Sequence, residues 1–211
     1  MCKARTLKFI RLFILISILF STLFSAEQTY IKKELLEKIT KKYGKFAKNR
    51  FYFLQNTIDT NKKLNELEQL KNINDFYNGV KYSTDKKIYN EDDYWATPAE
   101  FLGKDKGDCE DYVISKYFAL KYLGIDTKKL YFTYVKSTKF KERHMVLTYF
   151  KTPRAEPLVL DNNNHRIFKA SQRKDLIPIY NFNPTLLKKG KKKKTHKKWD
   201  KLKYNMKMGK V

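Results

Sequence analysis

The sequence predicts an α+β domain, with helices first and an antiparallel sheet after them. Apolar residues recur every three or four positions over 30–80 and again over 108–124, and beyond Gly124 the pattern changes to the short, alternating apolar runs of strands. Size agrees with this. About 185 of the 211 residues follow an apolar amino-terminal run, enough for one domain with its own core.

Taken in order, the first helical stretch, 30–55, places Ile31, Leu35, Ile39, Tyr43 and Phe46 on one face. A second carries Leu64, Leu67, Leu70, Ile73, Phe76, Tyr77 and Val80. Both stripes are expected to face the core. Residues 79–93 are polar and turn-rich, and Thr97 with Pro98 forms the cap and first turn of a short helix ending near Gly103. Asp108 is an N-cap type of residue, with Glu110 and Asp111 in the first turn. The pattern then runs through Val113, Tyr117 and Leu120 to a stop at Gly124. Strands are expected at 130–135, 144–150, 158–161 and 177–182.

The two ends read differently from this domain, which is expected over 27–187. Lys3, Arg5, Lys8 and Arg11 precede the apolar run 12–24, and Ser25-Ala26 offers small residues for cleavage, so 1–26 reads as an export signal, removed or kept as an anchor. The run is short for a membrane span, which needs roughly 20 residues. The bulk of the chain is therefore expected outside the cytoplasm. Lys and Arg number 46 against 22 Asp and Glu, a net charge of +24, and 188–211 holds twelve lysines against Asp200 alone. That segment is expected to be a solvated or loosely helical tail that touches anionic lipid or an acidic partner. No nucleic-acid module accompanies it, so nucleic acid is not an expected partner.

The chemistry centres on Cys109, inside Gly107-Asp108-Cys109-Glu110-Asp111. If the signal is removed, Cys2 leaves with it and Cys109 is a free thiol with no disulfide partner. It falls in the first turn of a helix, where unpaired backbone N–H groups and the positive end of the helix dipole favour a thiolate and can receive an oxyanion. A nucleophilic thiol needs an imidazole, and the chain has three histidines. His196 lies in the Lys-rich tail and His165 in a polar loop, whereas His144 opens the apolar strand Met145-Val146-Leu147. If the following turn is centred near Thr152 and Pro153, Asp161 faces His144 across a hairpin and can fix its tautomer. A slip of one residue would put the two on opposite faces.

Asp108, Glu110 and Asp111 beside the thiol would raise its pKa. A hard divalent cation removes that conflict, and calcium takes six to eight such oxygen ligands. The same residues also suit the positive end of a helix, which leaves capping as the competing reading.

Tyr94-Trp95-Ala96-Thr97-Pro98-Ala99-Glu100-Phe101-Leu102, Gly107-Asp108-Cys109-Glu110-Asp111-Tyr112, His144-Met145-Val146-Leu147 and Leu160-Asp161-Asn162 together resemble the bacterial transglutaminase-like cysteine proteinases of the LapG type. The resemblance covers about 31–182. It implies a papain-like, transglutaminase-type fold and a calcium-dependent periplasmic protease that releases a large surface adhesin by cutting its amino-terminal region, and so controls biofilm dispersal. It further implies Cys109 as nucleophile, His144 as general base and acid, Asp161 as the group orienting His144, and Asp108, Glu110 and Asp111 as calcium ligands. An inner-membrane cyclic di-GMP receptor is the implied inhibitory partner. Two other functions remain open at this stage. One is acyl transfer to an amine by the same triad, and the other is a non-enzymatic surface or membrane-binding protein acting through the basic tail. Trp95 reads equally as cleft wall or core.

Overall fold

The structure is a computed structural model that describes residues 29–186 and 194–211. The expected export segment 1–26 lies outside the described residues, as do the first residues of the Lys-rich segment. None of the described helices is long and apolar enough to cross a membrane. Residues 31–211 form one compact unit.

Helix α1, Lys33–Asn61, is broken in phase at Gly44, whose φ of +80° is a conformation that glycine adopts without strain. Beyond the kink the buried face is reset to Ala47, Phe51, Leu54 and Ile58, which leaves Phe46 82% exposed rather than in the core stripe expected for it. Helix α2, Glu66–Asn78, starts from a capping box in which Asn65 and Glu68 satisfy each other's backbone N–H. It buries Leu70, Ile73 and Tyr77, while Leu67, expected among them, faces outward from the first turn.

The stretch expected to be plain turn holds strand β1, Lys81–Tyr82, and helix α3, Asp85–Tyr89. Helix α4, Pro98–Lys104, begins where anticipated, with Thr97 and Glu100 closing a second capping box. Strand β2, Lys106–Gly107, pairs in parallel with β1. It leads directly into α5, Cys109–Tyr122, which stops at Leu123 with Gly124 at φ +93°. Helix α5 has no single apolar stripe because it is covered on both sides, by α2 and by the sheet. Tyr112, Val113, Ile114, Tyr117, Ala119 and Leu120 are all buried.

The sheet contains β3 Leu130–Ser137, β4 Arg143–Tyr149, β5 Leu158–Asp161, β6 Asn164–Lys169 and β7 Leu176–Phe182, in the order β6-β5-β4-β3-β7. Every neighbouring pair is antiparallel. Strand β6 is polar and lies at an edge, which is why its sequence reads as a loop. Between β4 and β5 the pairs are Leu147 with Leu160, Thr148 with Val159 and Tyr149 with Leu158. This is two residues out from the expected register that sets His144 opposite Asp161. An even slip preserves the face, so both side chains still project to the same side.

The largest departure is at the carboxyl end. Helix α6, Lys194–Lys207, buries Trp199 and Leu202. The Trp199 ring meets Tyr117, Phe118 and Phe132 at centroid distances of 5.7, 5.6 and 5.6 Å. Thr97 Oγ1 donates to the Lys210 carbonyl at 3.1 Å, and the Lys210 ammonium donates to the Tyr94 hydroxyl at 2.6 Å. In its described part, then, the segment expected to be a solvated tail is a core element, and deleting it would remove part of the hydrophobic core rather than a surface appendage. Trp95, 4% exposed and packed on Phe132, belongs to the same aromatic core.

Trp199→Ala is expected to cost about 3–5 kcal/mol, the loss for a buried tryptophan, whereas Phe46→Ala should change stability by less than about 0.5 kcal/mol. Denaturant unfolding of both variants measures the contrast.

Candidate functional site

Cys109 is the first residue of α5 and is half-buried against the sheet. Its Sγ donates to Glu110 Oε2 at 3.0 Å, and the backbone N–H of Met145, the residue after His144, also reaches the sulfur. Burial pushes the thiol pKa well up. The charges of Glu110 and Asp108 and the bond to Glu110 push it further, and the Met145 N–H opposes them. The Tyr82 hydroxyl is pushed up to about 12 by burial and then by the charges of Cys109 and Asp108. Tyr134, whose hydroxyl is pushed up by burial and then by Tyr180 and Glu110, is stacked on Tyr180 at 4.7 Å.

His144 is 6% exposed, and its Nε2 lies 2.7 Å from Asp161 Oδ1. With Nε2 on the carboxylate, Nδ1 is the ring atom left for a thiol or substrate. The Asn163 N–H donates to the same Oδ1 at 2.9 Å, and Arg173 Nη2 donates to Oδ2 at 2.7 Å. Burial alone would raise the Asp161 pKa. It is outweighed by the hydrogen bond to and charge of His144, the Asn163 N–H and Arg173, so the carboxyl is held well below its ordinary range.

The backbone of Asp161 is anchored from the helical side. Asn78 Nδ2 donates to its carbonyl at 2.8 Å. Fully buried Lys116 of α5 donates to Asn78 Oδ1 at 2.6 Å and to Asn74 Oδ1 at 2.8 Å, and Asn74 in turn donates to the His165 carbonyl at 3.0 Å. The helix that carries the thiol and the strand that carries the carboxylate are thus joined through α2. Burial pushes the Lys116 ammonium down to about 7, against the pull of Asp161 and Asp75. The other two histidines do not join this cluster: His165 is exposed at the edge strand, and the His196 side chain lies outside the described residues.

The acidic residues beside the thiol gather with two that the sequence reading missed. Ligand atoms of Asp85, Asp108 and Asp111 lie within 4.8 Å of one another, as do those of Asp85, Asp93 and Glu110. Asp85 and Asp93 sit in the turn-rich segment, where nothing in a single sequence distinguishes them from surface carboxylates. Asp111 also has structural work, since its Oδ1 accepts from the Ala96 N–H at 2.9 Å and its Oδ2 from the Asp108 N–H at 3.4 Å. Gly107 makes this possible, because a Cβ there would lie 2.6 Å from Asp111 Oδ2 and 2.4 Å from the Phe101 ring.

Burial raises the pKa of all four carboxyls, Asp85, Asp108, Glu110 and Asp111, and neighbouring acids push the same way, Glu91 on Asp85, Glu110 on Asp108 and Asp111, and Asp85 on Glu110, with Asp108 reaching about 11. Asp85 Oδ1 and Asp108 Oδ1 are buried without a protein partner. Unpaired buried acceptors beside carboxyls that cannot ionise together are the donor set of a hard divalent cation, so the residues present fit the metal that the sequence suggests. Lys198 of α6 pairs with Asp93 at the rim of the cluster and places its charge near Asp85.

A carboxyl whose folded pKa is raised stabilises the fold below its unfolded value, near 4, and that stability is lost as pH rises toward the folded value, about 11 for Asp108. The cation-free protein should therefore become less stable with each step from pH 5 to pH 8, and a bound divalent cation should cancel the trend. Thermal unfolding with chelator and with cation should show a gap that widens with pH. A gap that narrows would contradict the assignment of the cluster.

Residues 48–205 match the family described as bacterial transglutaminase-like cysteine proteinase. No curated protein matches the chain. Among solved structures, Legionella pneumophila LapG is 39% identical with a TM-score of 0.72, over 85% of this chain and 99% of that one. Its calcium-bound form is 38% identical with a TM-score of 0.70, over 83% and 99% of the two chains, and its EGTA-treated form 37% identical with a TM-score of 0.71, over 85% and 100%. The match reaches into α6, in keeping with the packing of Trp199. With this architecture, and with a thiol at a helix start beside a buried imidazole–carboxylate pair, the chain belongs to the bacterial transglutaminase-like cysteine proteinase family.

Proposed function

We propose that the protein is a calcium-dependent periplasmic cysteine endopeptidase that cuts the amino-terminal region of a large surface adhesin and so controls attachment and biofilm dispersal. The observation that carries the reading is the meeting of Cys109, at the start of α5, with strand β4 beside His144, whose ring is paired with Asp161. The adhesin, the periplasmic location and control by an inner-membrane cyclic di-GMP receptor rest on the family resemblance, and an exported location draws further support from the amino-terminal segment.

In this reading His144 takes the thiol proton through the ring nitrogen that Asp161 leaves free, and the Cys109 thiolate attacks a peptide carbonyl. The Cys109 N–H, in the first turn of α5, donates to the oxyanion that develops. His144 then protonates the leaving amine, an acyl-enzyme remains, and water deprotonated by the same ring releases the carboxylate product. Asp161 stays ionised throughout and stabilises the imidazolium. Asp108 and Glu110, with Asp111 and Asp85, would hold calcium, which supplies positive charge beside Glu110 and so favours the thiolate. A LapG structure is known in a calcium-bound form, which supports that choice of ion.

Cleavage of the amino-terminal region of a surface adhesin by the purified full chain tests the reading. Cys109→Ala should lower the rate by roughly four orders of magnitude or more, and chelation should abolish cleavage reversibly. Incorporation of an added amine in place of hydrolysis would assign the same triad to acyl transfer. Cleavage indifferent to chelator would return the acidic cluster to helix capping.

A further inference from the structure

The three residues given catalytic roles above leave a buried arginine beside them unexplained. Arg173 follows the turn Ala170–Gln172 between β6 and β7 and is 6% exposed. Its Nη2 donates to Asp161 Oδ2 at 2.7 Å and to Asp175 Oδ2 at 2.8 Å, and its Nε donates to Asp175 Oδ1 at 2.9 Å. Nη1 is buried with no protein partner. Burying a guanidinium is costly unless every donor is matched, so a pairing that leaves one nitrogen over is a poor device for stability alone.

The contacts on Asp161 show what the arginine does. Oδ1 receives His144 Nε2 and the Asn163 N–H, and Oδ2 receives Arg173. The backbone of Asp161 is already held by Asn78, so the fold does not need the arginine to place the residue. What Asn78 leaves free is the terminal torsion of the carboxyl, which is broad and only two-fold in its preference. A donor on Oδ2 removes that freedom and keeps Oδ1 turned toward the ring. Asp175, partly exposed, grips the other side of the guanidinium, so the planar fork is fixed at both ends in a way a lysine could not match.

We propose that Arg173 is a positioning residue of the thiol chemistry, locking the Asp161 carboxylate so that Oδ1 orients the His144 ring toward Cys109. The proposal rests on the catalytic roles given above to Cys109, His144 and Asp161, and it adds a fourth member to them.

The test uses the calcium-loaded full chain, with R173Q and R173K beside the parent, and reads two quantities. Adhesin cleavage should lose about tenfold to a hundredfold in kcat in R173Q, the range for a misplaced catalytic group, with KM within about twofold. R173K should recover part of the loss. By proton NMR, the slowly exchanging Nε2–H of His144 should be present in the parent, lost to exchange in R173Q and weakened in R173K. A folded R173Q with parental kcat and an intact proton signal would overturn the proposal, and so would a fall in kcat with the signal intact, which assigns Arg173 to structure alone. Should R173Q fail to fold, R173K decides, and an unchanged signal and kcat there would be equally fatal. The NMR readout needs no substrate. A parent enzyme that cleaves nothing, together with loss of the proton in R173Q, would refute the protease reading while upholding the positioning role.

Discussion

Four carboxyl groups crowd the start of a buried helix, and the rest of the site follows from the fact that they cannot all carry charge. Two like charges about 4 Å apart repel by about 4 kcal/mol at the effective dielectric of a protein surface, and by more when buried. Asp85, Asp108, Glu110 and Asp111 therefore remain protonated in part or share a cation. The thiol is tied to the outcome, because Cys109 spends its proton on Glu110. The local geometry exists to bring these groups close. Gly107 carries no side chain where Asp111 and Phe101 approach, and Asp111 binds the N–H groups of Ala96 and Asp108, stitching the α4 approach to the α5 start.

Helix α5 transmits that arrangement to the sheet. It is buried on both sides, so its position is set by packing rather than by an exposed face. Its one buried cation, Lys116, reaches Asn74 and Asn78 on α2, which in turn hold the carbonyls of His165 and Asp161. Thiol and imidazole come from different layers, and a polar chain through a third element keeps them in register. Helix α6 closes the other side by placing Trp199 on Tyr117 and Phe118 of α5 and on Phe132 of the sheet.

Much of this was legible in the sequence, and the failures have physical causes. The start of α5, its stop at Gly124 and the capping of α4 by Thr97 follow from local rules that the structure obeys. His144 meets Asp161 although the strands pair two residues away from the register that the hairpin spacing suggests, because side chains alternate with period two. Phe46 leaves the stripe that periodicity assigns it because a single glycine at positive φ resets helix phase, an event that periodicity alone does not reveal. Helix α6 was obscured by composition. Trp199 and Leu202 make a stripe too narrow to outweigh twelve lysines. Asp85 opens the short helix α3 in a polar stretch and Arg173 lies in a polar turn, and in both places long-range pairing alone marks the residue out.

The two groups of carboxylates make the site conditional in one half and constitutive in the other. Asp161 is as buried as the acidic cluster, yet its pKa is driven down, because its neighbours are His144, Arg173 and an N–H donor rather than other acids. It is ionised at any pH at which the enzyme could work, so the imidazole is always oriented. The carboxyls around Cys109 also accept N–H groups, at Asp85 and Asp111, but they face one another and the cation beside them among the described residues is Lys198 at the rim, so their charge state depends on what cation arrives. One residue type is thus pushed in opposite directions by two environments, the arrangement that assigns separate roles to chemically identical groups. A switch acting on this site gains little from the histidine side, which is locked. It gains most from the acidic side, where one bound cation changes both the stability of the helix start and the readiness of the thiol.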